Sequence, residues 1–243
     1  MIAAAQASSI KGNVESNVRT HAEFVRIAVE HDIDVIVFPE LSLTGYEPEV
    51  VREVTISIDD ERLAPLRVQA QRSGITIIVG APIECSGEKP YIGALVLNSE
   101  NSFVYIKNHL HPGEEAYFSP GIRKSCVVNI KGEAVGLAIC ADVNHASHAK
   151  EVAENGASIY VASVLMMDGY ATAAQRLQQY AIEHSMVVLM ANYGSSTGGY
   201  VPAGKSAIWD NKGNLLAMAG EAGNALVVAT KDQDRWIGRT VTI

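Results

Sequence analysis

Three reactive side chains lie at the ends of apolar, β-branched runs that are far apart in the chain. Glu40 follows VIVFP, Lys107 follows FVYI, and Cys140 follows VGLAI. A strand presents its last side chains at the rim of a sheet, where active sites gather, so these three groups can meet there. A thiol, a carboxyl and an ammonium suit amide cleavage. They supply a nucleophile, a base that later protonates the leaving nitrogen, and a positive charge beside the developing oxyanion.

The residues after Cys140 distinguish it from Cys85 and Cys126. The chain continues as ADVNHASHAKEVAENGA, which predicts a turn followed by a helix. Backbone N–H groups and the helix dipole at such an elbow are expected to lower the pKa of the thiol and can bind an oxyanion. A free cysteine at the end of a strand is otherwise a small buried hydrophobic residue. The predicted helix start therefore favours Cys140 as the nucleophile.

Glu40 and Lys107 are each followed by a segment that suits a pocket wall. LSLTGY after Glu40 is uncharged, which predicts partial enclosure and a pKa raised toward that of a general base. NHLHPGEEAYFSPG after Lys107 contains Pro and Gly turns and an aromatic pair. The alternatives are surface roles, namely a carboxylate where the chain leaves the sheet and a lysine that guards a sheet edge.

The motifs around these residues resemble those of the nitrilase, or carbon–nitrogen hydrolase, superfamily. PELSLTGY is similar to the first motif of the family, EEAYFSPG to its second-glutamate motif, and AGKSAIWDNKGNLLA to its late Gly-x-Ser hairpin. The resemblance covers nearly the whole chain. It implies an α-β-β-α sandwich with Glu40, Lys107 and Cys140 as the catalytic triad. It also implies that Glu114 is a second glutamate near the lysine and that Glu115 is its solvated neighbour.

The resemblance further implies a mechanism. Glu40 takes the proton of Cys140, the thiolate attacks the carbonyl carbon, and Lys107 and the backbone N–H of Ala141 hold the oxyanion. Ammonia leaves a thioester, which water activated by Glu40 then hydrolyses to the carboxylic acid. This chemistry implies no metal and no organic cofactor. The residues expected to contact the substrate are Tyr46, Ala141, Asp142, Val164 and Leu165.

The run after the cysteine departs from the family pattern. Many members carry an aromatic residue, an acidic residue and an arginine where this chain has Ala141, Asp142 and Val143. The acidic position is kept, but the missing arginine removes a partner for substrates that carry a carboxylate. Amide, nitrile and carbamoyl substrates therefore stay open. The short chain favours a small aliphatic amide by analogy with the family.

Repeated helix-to-strand units predict the fold. RIAVEHDIDVIVFPE, RVQAQRSGITIIVGAP, EVAENGASIYVASV and QYAIEHSMVVLMAN each combine an amphipathic helix, a polar break and an apolar strand. Three other segments, at 91–107, 125–140 and 206–219, have the strand-turn-strand pattern of hairpins. This mixture predicts an α/β fold in which two mixed sheets pack on each other under outer helices. We expect one domain over residues 1–243.

Composition limits the partners of the protein. The 19 Lys and Arg residues against 27 Asp and Glu give a net charge of −8, the wrong sign for binding a phosphate backbone. No apolar run approaches the roughly 20 residues that span a bilayer, and MIAAAQASS predicts a first strand rather than a signal peptide. The three cysteines show no CxxC spacing, which argues against disulfides and structural zinc. These features predict a cytoplasmic protein with a small-molecule substrate and neither a nucleic-acid nor a membrane partner.

Three other functions fit parts of the same sequence. Cys140, Asp142, His145 and His148 could supply ligands to a metal ion, although His residues beside a turn are more often solvated. A binding module of the same fold that lacks catalysis is the second. Nucleotide binding is the weakest, because no Gly-x-Gly-x-x-Gly or phosphate-binding loop follows any strand.

The assembly can also be predicted. The ADVNHASHA segment after Cys140 is poorly charged, and the resembling family pairs its subunits through helices of this region. A closed two-fold contact is the commonest way to cover a free helix face. We therefore expect a homodimer, or a higher homo-oligomer, whose interface includes the residues after Cys140 and part of the helix from Ala171 to His184.

Overall fold

Helices and strands alternate along most of the chain in the computed structural model, which describes residues 1–122, 125–233 and 235–243. The helices are α1 (Val14–Glu30), α2 (Ala64–Ser73), α3 (Ala146–Glu154) and α4 (Tyr170–His184). The strands are β1 (Ile2–Gln6), β2 (Val35–Val37), β3 (Thr76–Ile83), β4 (Tyr91–Leu97), β5 (Phe103–Ile106), β6 (Val127–Ile130), β7 (Glu133–Ile139), β8 (Ile159–Ser163), β9 (Val187–Ala191), β10 (Ala207–Trp209), β11 (Leu215–Met218), β12 (Ala225–Asp232) and β13 (Arg235–Thr242).

The strands form two mixed sheets. The first has the order β13-β12-β1-β2-β3-β4-β5, and the second has the order β11-β10-β9-β8-β7-β6. Parallel pairing is found between β1, β2 and β3 and between β7, β8 and β9, while the outer strands pair antiparallel. Each parallel step crosses over through one helix, as βαβ connections require. The predicted α/β sandwich of two mixed sheets, with its four helix-to-strand units and three hairpins, is confirmed.

Alternation along β1 shows how the layers are built. Ile2 and Ala4 belong to the apolar core between the two sheets, whereas Ala3 and Ala5 pack in the layer under α1 and α2. The side chains of a strand alternate between its faces, so one buried strand serves both layers. A third apolar layer lies under α3 and α4 on the other sheet. This layering explains why the inner strands are apolar without polar alternation.

The predicted polar breaks end the helices. Left-handed backbone is found just after the four helices at Asp32, Gly74, Gly156 and Ser185, with φ of 56°, 70°, 88° and 54°. Such a residue turns the chain out of the helix, so that backbone N–H groups beyond the helix can donate to its last carbonyl oxygens. The strand that follows can then begin within a few residues.

Three strand ends meet beside the cavity described below. The pairing of β3, β4 and β5 makes β5 run parallel to β2, so both end at the same edge of the first sheet. Glu40 follows β2 and Lys107 follows β5, while Cys140 follows β7 of the second sheet. Among the described residues, no helix is both long and apolar enough to cross a membrane.

Candidate active site

Lys107 lies at the centre of a buried ionic cluster. Its Nζ donates to Oε1 of Glu40 at 2.7 Å and to both carboxylate oxygens of Glu114 at 2.8 Å. The side chains of Lys107 and Glu40 are 0% exposed. The alternative in which Lys107 guards a solvated sheet edge is therefore wrong. We call Glu40, Lys107 and Glu114 the buried cluster.

The opposite charges of the buried cluster stabilise one another. Burial alone would lower the pKa of Lys107, but the nearby acidic groups, Glu40 foremost, outweigh it and raise that pKa. The lysine therefore stays protonated through the neutral range. Glu114 is held further by the Tyr46 hydroxyl, which donates to its Oε1 at 2.8 Å. Glu115 is exposed, as predicted.

Glu40 keeps one oxygen free. Its Oε1 accepts from Lys107, whereas its buried Oε2 has no partner at normal hydrogen-bond geometry among the described residues, and the Cys140 thiol is near enough to lower the pKa of this carboxyl. Burial raises the pKa of Glu40 to about 7, against the lowering effect of Lys107. The predicted rise of this pKa is therefore confirmed in direction. A carboxyl with this pKa can both accept and release a proton at neutral pH.

The backbone around Glu40 requires a close approach between two elements. The Tyr193 hydroxyl donates to the carbonyl oxygen of Glu40 at 2.7 Å. On β3, a Cβ placed on Gly80 would lie 2.3 Å from the Leu41 nitrogen and 2.6 Å from the Pro39 carbonyl oxygen. Only glycine lets the strand and the segment that carries Glu40 pack this closely.

Cys140 occupies a strained elbow. It follows β7 directly, has a φ of 41°, and begins a 3₁₀ turn over Cys140–Asn144 before α3 starts at Ala146. Left-handed backbone is costly for a residue with a Cβ, and such strain is found at functional sites. The thiol is half-buried, and its Sγ lies 3.9 Å from the Leu165 carbonyl oxygen.

The expected lowering of the thiol pKa is wrong. Burial raises the pKa of Cys140, and the charge of Glu40 raises it further, while Lys107 and the Leu165 carbonyl contact oppose the rise. The α-helix begins six residues after the cysteine, beyond the range over which a helix dipole acts strongly. The thiol is therefore neutral at neutral pH and needs a base to become a nucleophile.

Asp142 ties the elbow to the segment after Lys107. Its Oδ2 accepts from the Ile139 N–H at 3.1 Å and from the Tyr105 hydroxyl at 2.8 Å. Its Oδ1 accepts from the N–H groups of Asn108 and His109 at 3.1 and 2.9 Å. These four donors, together with the His109 ring, whose Nδ1 lies 3.0 Å from Oδ1, hold the two segments in a single arrangement.

A chain of buried polar groups continues behind Asp142. The hydroxyl proton of Tyr105 goes to Asp142, so His148 donates from Nε2 to the Tyr105 oxygen across 2.9 Å. The Tyr160 hydroxyl then donates to Nδ1 of His148 at 3.0 Å. Burial lowers the pKa of His148, which agrees with a neutral ring. His148 is thus a structural hydrogen-bonding group.

Cys140 and the other residues of the alternative metal site lie in two different environments. Cys140 lies on the cavity with Glu40, while Asp142 and His148 both bind Tyr105. The part of the chain that the structure describes contains no group of three or more His, Cys, Asp or Glu residues arranged to hold a metal ion.

Cys140 lines a cavity of about 450 Å³. It is lined by Glu40, Tyr46, His111, Glu114, Cys140, Asn144, Leu165, Met166, Met167, Gly169, Thr172, Ala173, Arg176 and Tyr200. The predicted substrate contacts Tyr46 and Leu165 are therefore on the cavity. Ala141, Asp142 and Val164 are buried and lie outside this lining. Their contact with substrate stays a prediction, which for Ala141 concerns only the backbone N–H.

Sequence reasoning did not identify a second set of residues that line the cavity. This set includes Met166 and Met167 after β8, Thr172 and Arg176 on α4, and Tyr200. We call these five residues the outer wall. The amphipathic pattern of α4 indicated a helix, but which of its polar residues reach a cavity depends on how the helix packs.

Comparison with known proteins agrees with this geometry. The profile of the carbon-nitrogen hydrolase family matches residues 1–238. The (R)-stereoselective amidase of Pseudomonas sp. is 29% identical over 192 residues, which are 78% of this chain and 70% of the relative. The nitrilase of Pyrococcus abyssi is 26% identical over 223 residues, 90% of this chain and 84% of the relative.

A solved structure extends the likeness. The amidase from Nesterenkonia sp. AN1 is 26% identical and superposes with a TM-score of 0.86, covering 96% of this chain and 95% of that one. In a variant of that amidase, acrylamide has undergone Michael addition at the active-site cysteine. The family match extends over nearly the whole chain described above. This protein therefore belongs to the carbon–nitrogen hydrolase family, whose enzymes cleave carbon–nitrogen bonds other than peptide bonds.

Proposed function

We propose that this protein is an amidase in which Cys140 is the nucleophile and Glu40 is the base. The free Oε2 of Glu40 takes the thiol proton as the sulfur attacks the carbonyl carbon of the amide. Negative charge then develops on the carbonyl oxygen. Lys107 and the backbone N–H of Ala141 stabilise that charge. The C–N bond breaks as protonated Glu40 gives its proton to the nitrogen, and ammonia leaves a thioester.

Hydrolysis of the thioester uses the same groups. Glu40, again a carboxylate, removes a proton from water as the water oxygen attacks the thioester carbon. The C–S bond breaks, the proton returns to the sulfur, and the carboxylic acid leaves. Glu114 holds Lys107 in place through two hydrogen bonds. Atoms and protons balance without any other reactant.

One observation carries this proposal, namely the unbonded oxygen of Glu40 on the same cavity as a neutral thiol. The raised pKa of Cys140 makes a base necessary, and the pKa of Glu40, about 7, makes that carboxyl suitable. Lys107 keeps its charge beside both groups. A module without catalysis would not need a strained cysteine beside an unsatisfied carboxylate.

The relatives favour an amide as the substrate, and one of them supports a second candidate. Two relatives are amidases, while the Pyrococcus abyssi relative is a nitrilase. The same thiol attack on a nitrile would form a thioimidate, which adds water and loses ammonia to give the thioester, and a second water then releases the acid. Carbamoyl compounds remain a third possible class.

The test is a screen for released ammonia over amides, nitriles and carbamoyl amino acids. We expect release from amides by the native protein and none by the Cys140→Ala variant. Cys126→Ala is the matched control, because Cys126 is another half-buried cysteine that does not line the cavity. Ammonia release that persists in Cys140→Ala, or that is absent with every amide, would overturn the proposal.

We also propose a cytoplasmic homodimer with one hydrolase domain over residues 1–243. Three free cysteines are compatible with a reducing compartment. The segment Asn144 to Ser147 is exposed and has no Asp, Glu, Lys or Arg, and Ile182 on α4 is 50% exposed, which supports a two-fold contact through these elements. Light scattering should report a dimer at micromolar concentration. A fully active monomer would refute both the interface and its support of Cys140.

A further inference from the structure

Glu40 lies on a loop that leaves the first sheet after β2 and then returns to it. Before the loop, the Phe38 N–H donates to a carbonyl oxygen of β3 at 2.9 Å. After the loop, the Leu43 N–H donates to another carbonyl oxygen of β3, also at 2.9 Å. We call residues 39–42, which lie between these two hydrogen bonds, the base loop. Its two ends are thus fixed to β3 by backbone hydrogen bonds.

The interior of the base loop is strained. Leu41 has a φ of 53°, and left-handed backbone costs free energy for a residue with a Cβ. Such a conformation persists only where the surrounding structure enforces it. Because β2 ends at Val37, the Gly80 N–H of β3 donates instead to Oγ of Ser42, at 3.2 Å. The Ser42 hydroxyl thus takes the place of a strand carbonyl and joins the base loop to β3.

His21 on α1 fixes the direction of the Ser42 hydroxyl. Its Nδ1 lies 2.6 Å from the Asn17 carbonyl oxygen, which can only accept, so Nδ1 carries a proton. Burial lowers the pKa of His21 to about 4, so the ring is neutral at neutral pH and Nε2 is an acceptor. The Ser42 hydroxyl therefore donates to Nε2 at 2.9 Å. This leaves the lone pairs of the Ser42 oxygen to accept from Gly80.

His21 contacts the chain on both sides of Glu40. Its ring stacks on the ring of Phe38, with the centroids 4.0 Å apart and 27° between the planes. Phe38 lies two residues before Glu40, and Ser42 lies two residues after it. The three side chains that make these contacts are all 0% exposed. A single buried side chain of α1 therefore supports the segment that carries Glu40.

We propose that His21 and Ser42 are positioning residues that hold the carboxylate of Glu40 beside the thiol of Cys140. The hydrogen bonds run from Gly80 to Ser42 and from Ser42 to His21, so the loop is held only when each acceptor is present. No described residue of α1 lines the cavity, and His21 acts only through the base loop. This inference rests on the proposed role of Glu40 as the base.

The kinetic test separates the two nitrogens of His21. Asparagine can replace the Nδ1 donor but is too short to reach Ser42, whereas glutamine can place an amide oxygen near the position of Nε2. We expect His21→Asn and Ser42→Ala to lower kcat for an amide by about 10- to 100-fold, since a small displacement of a catalytic group has an effect of this size. KM should change little, because no contact with the substrate is lost. His21→Gln should keep kcat close to the native value.

A double-mutant cycle distinguishes positioning of the base from general support of the fold. In the Glu40→Gln background the base is already absent, so His21→Asn should lower kcat no further. If His21→Asn does not fold, Ser42→Ala, which removes one oxygen atom, is used in the same cycle. Native kcat in both His21→Asn and Ser42→Ala, or an equal fall with and without Glu40, would overturn the inference. A loss in His21→Gln as large as in His21→Asn would overturn it too.

The matched control is Leu66→Ala on α2. Leu66 is buried in the same apolar layer as Phe38 but does not contact the base loop through any described hydrogen bond. The variant should lower the melting temperature, because it leaves a cavity in that layer. It should leave kcat of the folded protein at the native value. A fall of kcat as large as that in Ser42→Ala would show that any loss of packing in this layer has the same effect, and the inference would fail.

Alkylation of Cys140 by iodoacetamide separates this inference from the proposed function. Burial raises the pKa of this thiol, so its alkylation at neutral pH should depend on Glu40. His21→Asn and Ser42→Ala should slow the alkylation by about tenfold or more, and neither should slow it further in the Glu40→Gln background. If this pattern is observed but no amide is hydrolysed, the positioning role stands and the amidase proposal fails. If amides are hydrolysed but both variants keep the native alkylation rate and kcat, the inference fails alone.

Discussion

Glu40 and Glu114 of the buried cluster line the same cavity as the outer wall, but the two regions are held in different ways. Lys107 makes three hydrogen bonds to two carboxylates and has no exposed surface. On the outer wall, Met166 and Met167 are half-buried and Tyr200 is 43% exposed. The stability of each charge in the cluster depends on the other charges. The outer-wall residues are more exposed and contribute less to one another's stability. Substitutions in the cluster should therefore change stability and kcat, and substitutions on the outer wall should change KM and substrate choice.

The largest effect is expected from Lys107→Met. The variant leaves Glu40 and Glu114 buried without their cation, which should destabilise the fold by about 3–5 kcal/mol. It should also lower kcat by on the order of 10² or more, because the oxyanion loses its positive partner. Thermal unfolding and ammonia release measure the two effects. Lys212→Met, at an exposed lysine, is the control.

A second substitution sharpens that test. In the Lys107→Met background, Glu114→Gln removes one of the two uncompensated charges. We expect it to restore part of the lost stability but no activity. If Glu114→Gln lowers the melting temperature further, the charges of the cluster do not depend on one another as described.

Glu40→Gln should lower kcat by on the order of 10² or more while it keeps the shape of the side chain. The amide of glutamine cannot take the thiol proton, and burial keeps that thiol neutral. Glu115→Gln, at the exposed neighbour of Glu114, is the matched control and should retain native kcat. Near-native kcat in Glu40→Gln would exclude Glu40 as the base.

The pH dependence of kcat/KM should report Glu40 directly. The reaction needs its carboxylate form, and its pKa is raised to about 7. The rate should therefore rise with pH up to about 7 and level off above it. A basic limb from Lys107 should be absent in the neutral range, because its pKa is raised as well. A rise centred near pH 4.5, the ordinary value for glutamate, would contradict the effect of burial.

Glu114→Gln alone should be less damaging than Glu40→Gln. Its remaining carbonyl oxygen can still accept from Lys107, and Glu40 still compensates the lysine. We expect kcat to fall by roughly tenfold, which corresponds to about one weakened charged hydrogen bond. A loss equal to that of Glu40→Gln would give Glu114 a direct part in proton transfer.

Met167→Ala, on the outer wall, should show the smallest effect. It removes a lining side chain from the cavity at a residue outside the buried cluster. We expect KM for short amides to rise by a few-fold, with a smaller relative change in kcat, because only apolar contact with the substrate is lost. A fall in kcat comparable to that of the cluster variants would remove the distinction between the two regions.

The amino-acid sequence determined the elements and three of the groups that meet at the cavity. Uninterrupted Val and Ile runs bounded by Asp, Gly, Asn and Ser predict the inner strands, since burial on both faces leaves no polar alternation. Glu40, Lys107 and Cys140 follow such runs directly. Strand ends present their side chains at the rims of the two packed sheets, so the type and position of these residues predicted their meeting.

Only the tertiary structure decided the pKa of Cys140 and which residues form the outer wall. The local sequence predicts a helix start that lowers the thiol pKa, but burial and the charge of Glu40 arrive from elements distant in the chain and raise it. Arg176 is likewise an ordinary polar residue of an amphipathic helix until α4 packs against the second sheet. The burial of a titratable group and the electrostatic field that acts on it depend on all of its neighbours in space. A sequence pattern contains information only about its neighbours along the chain.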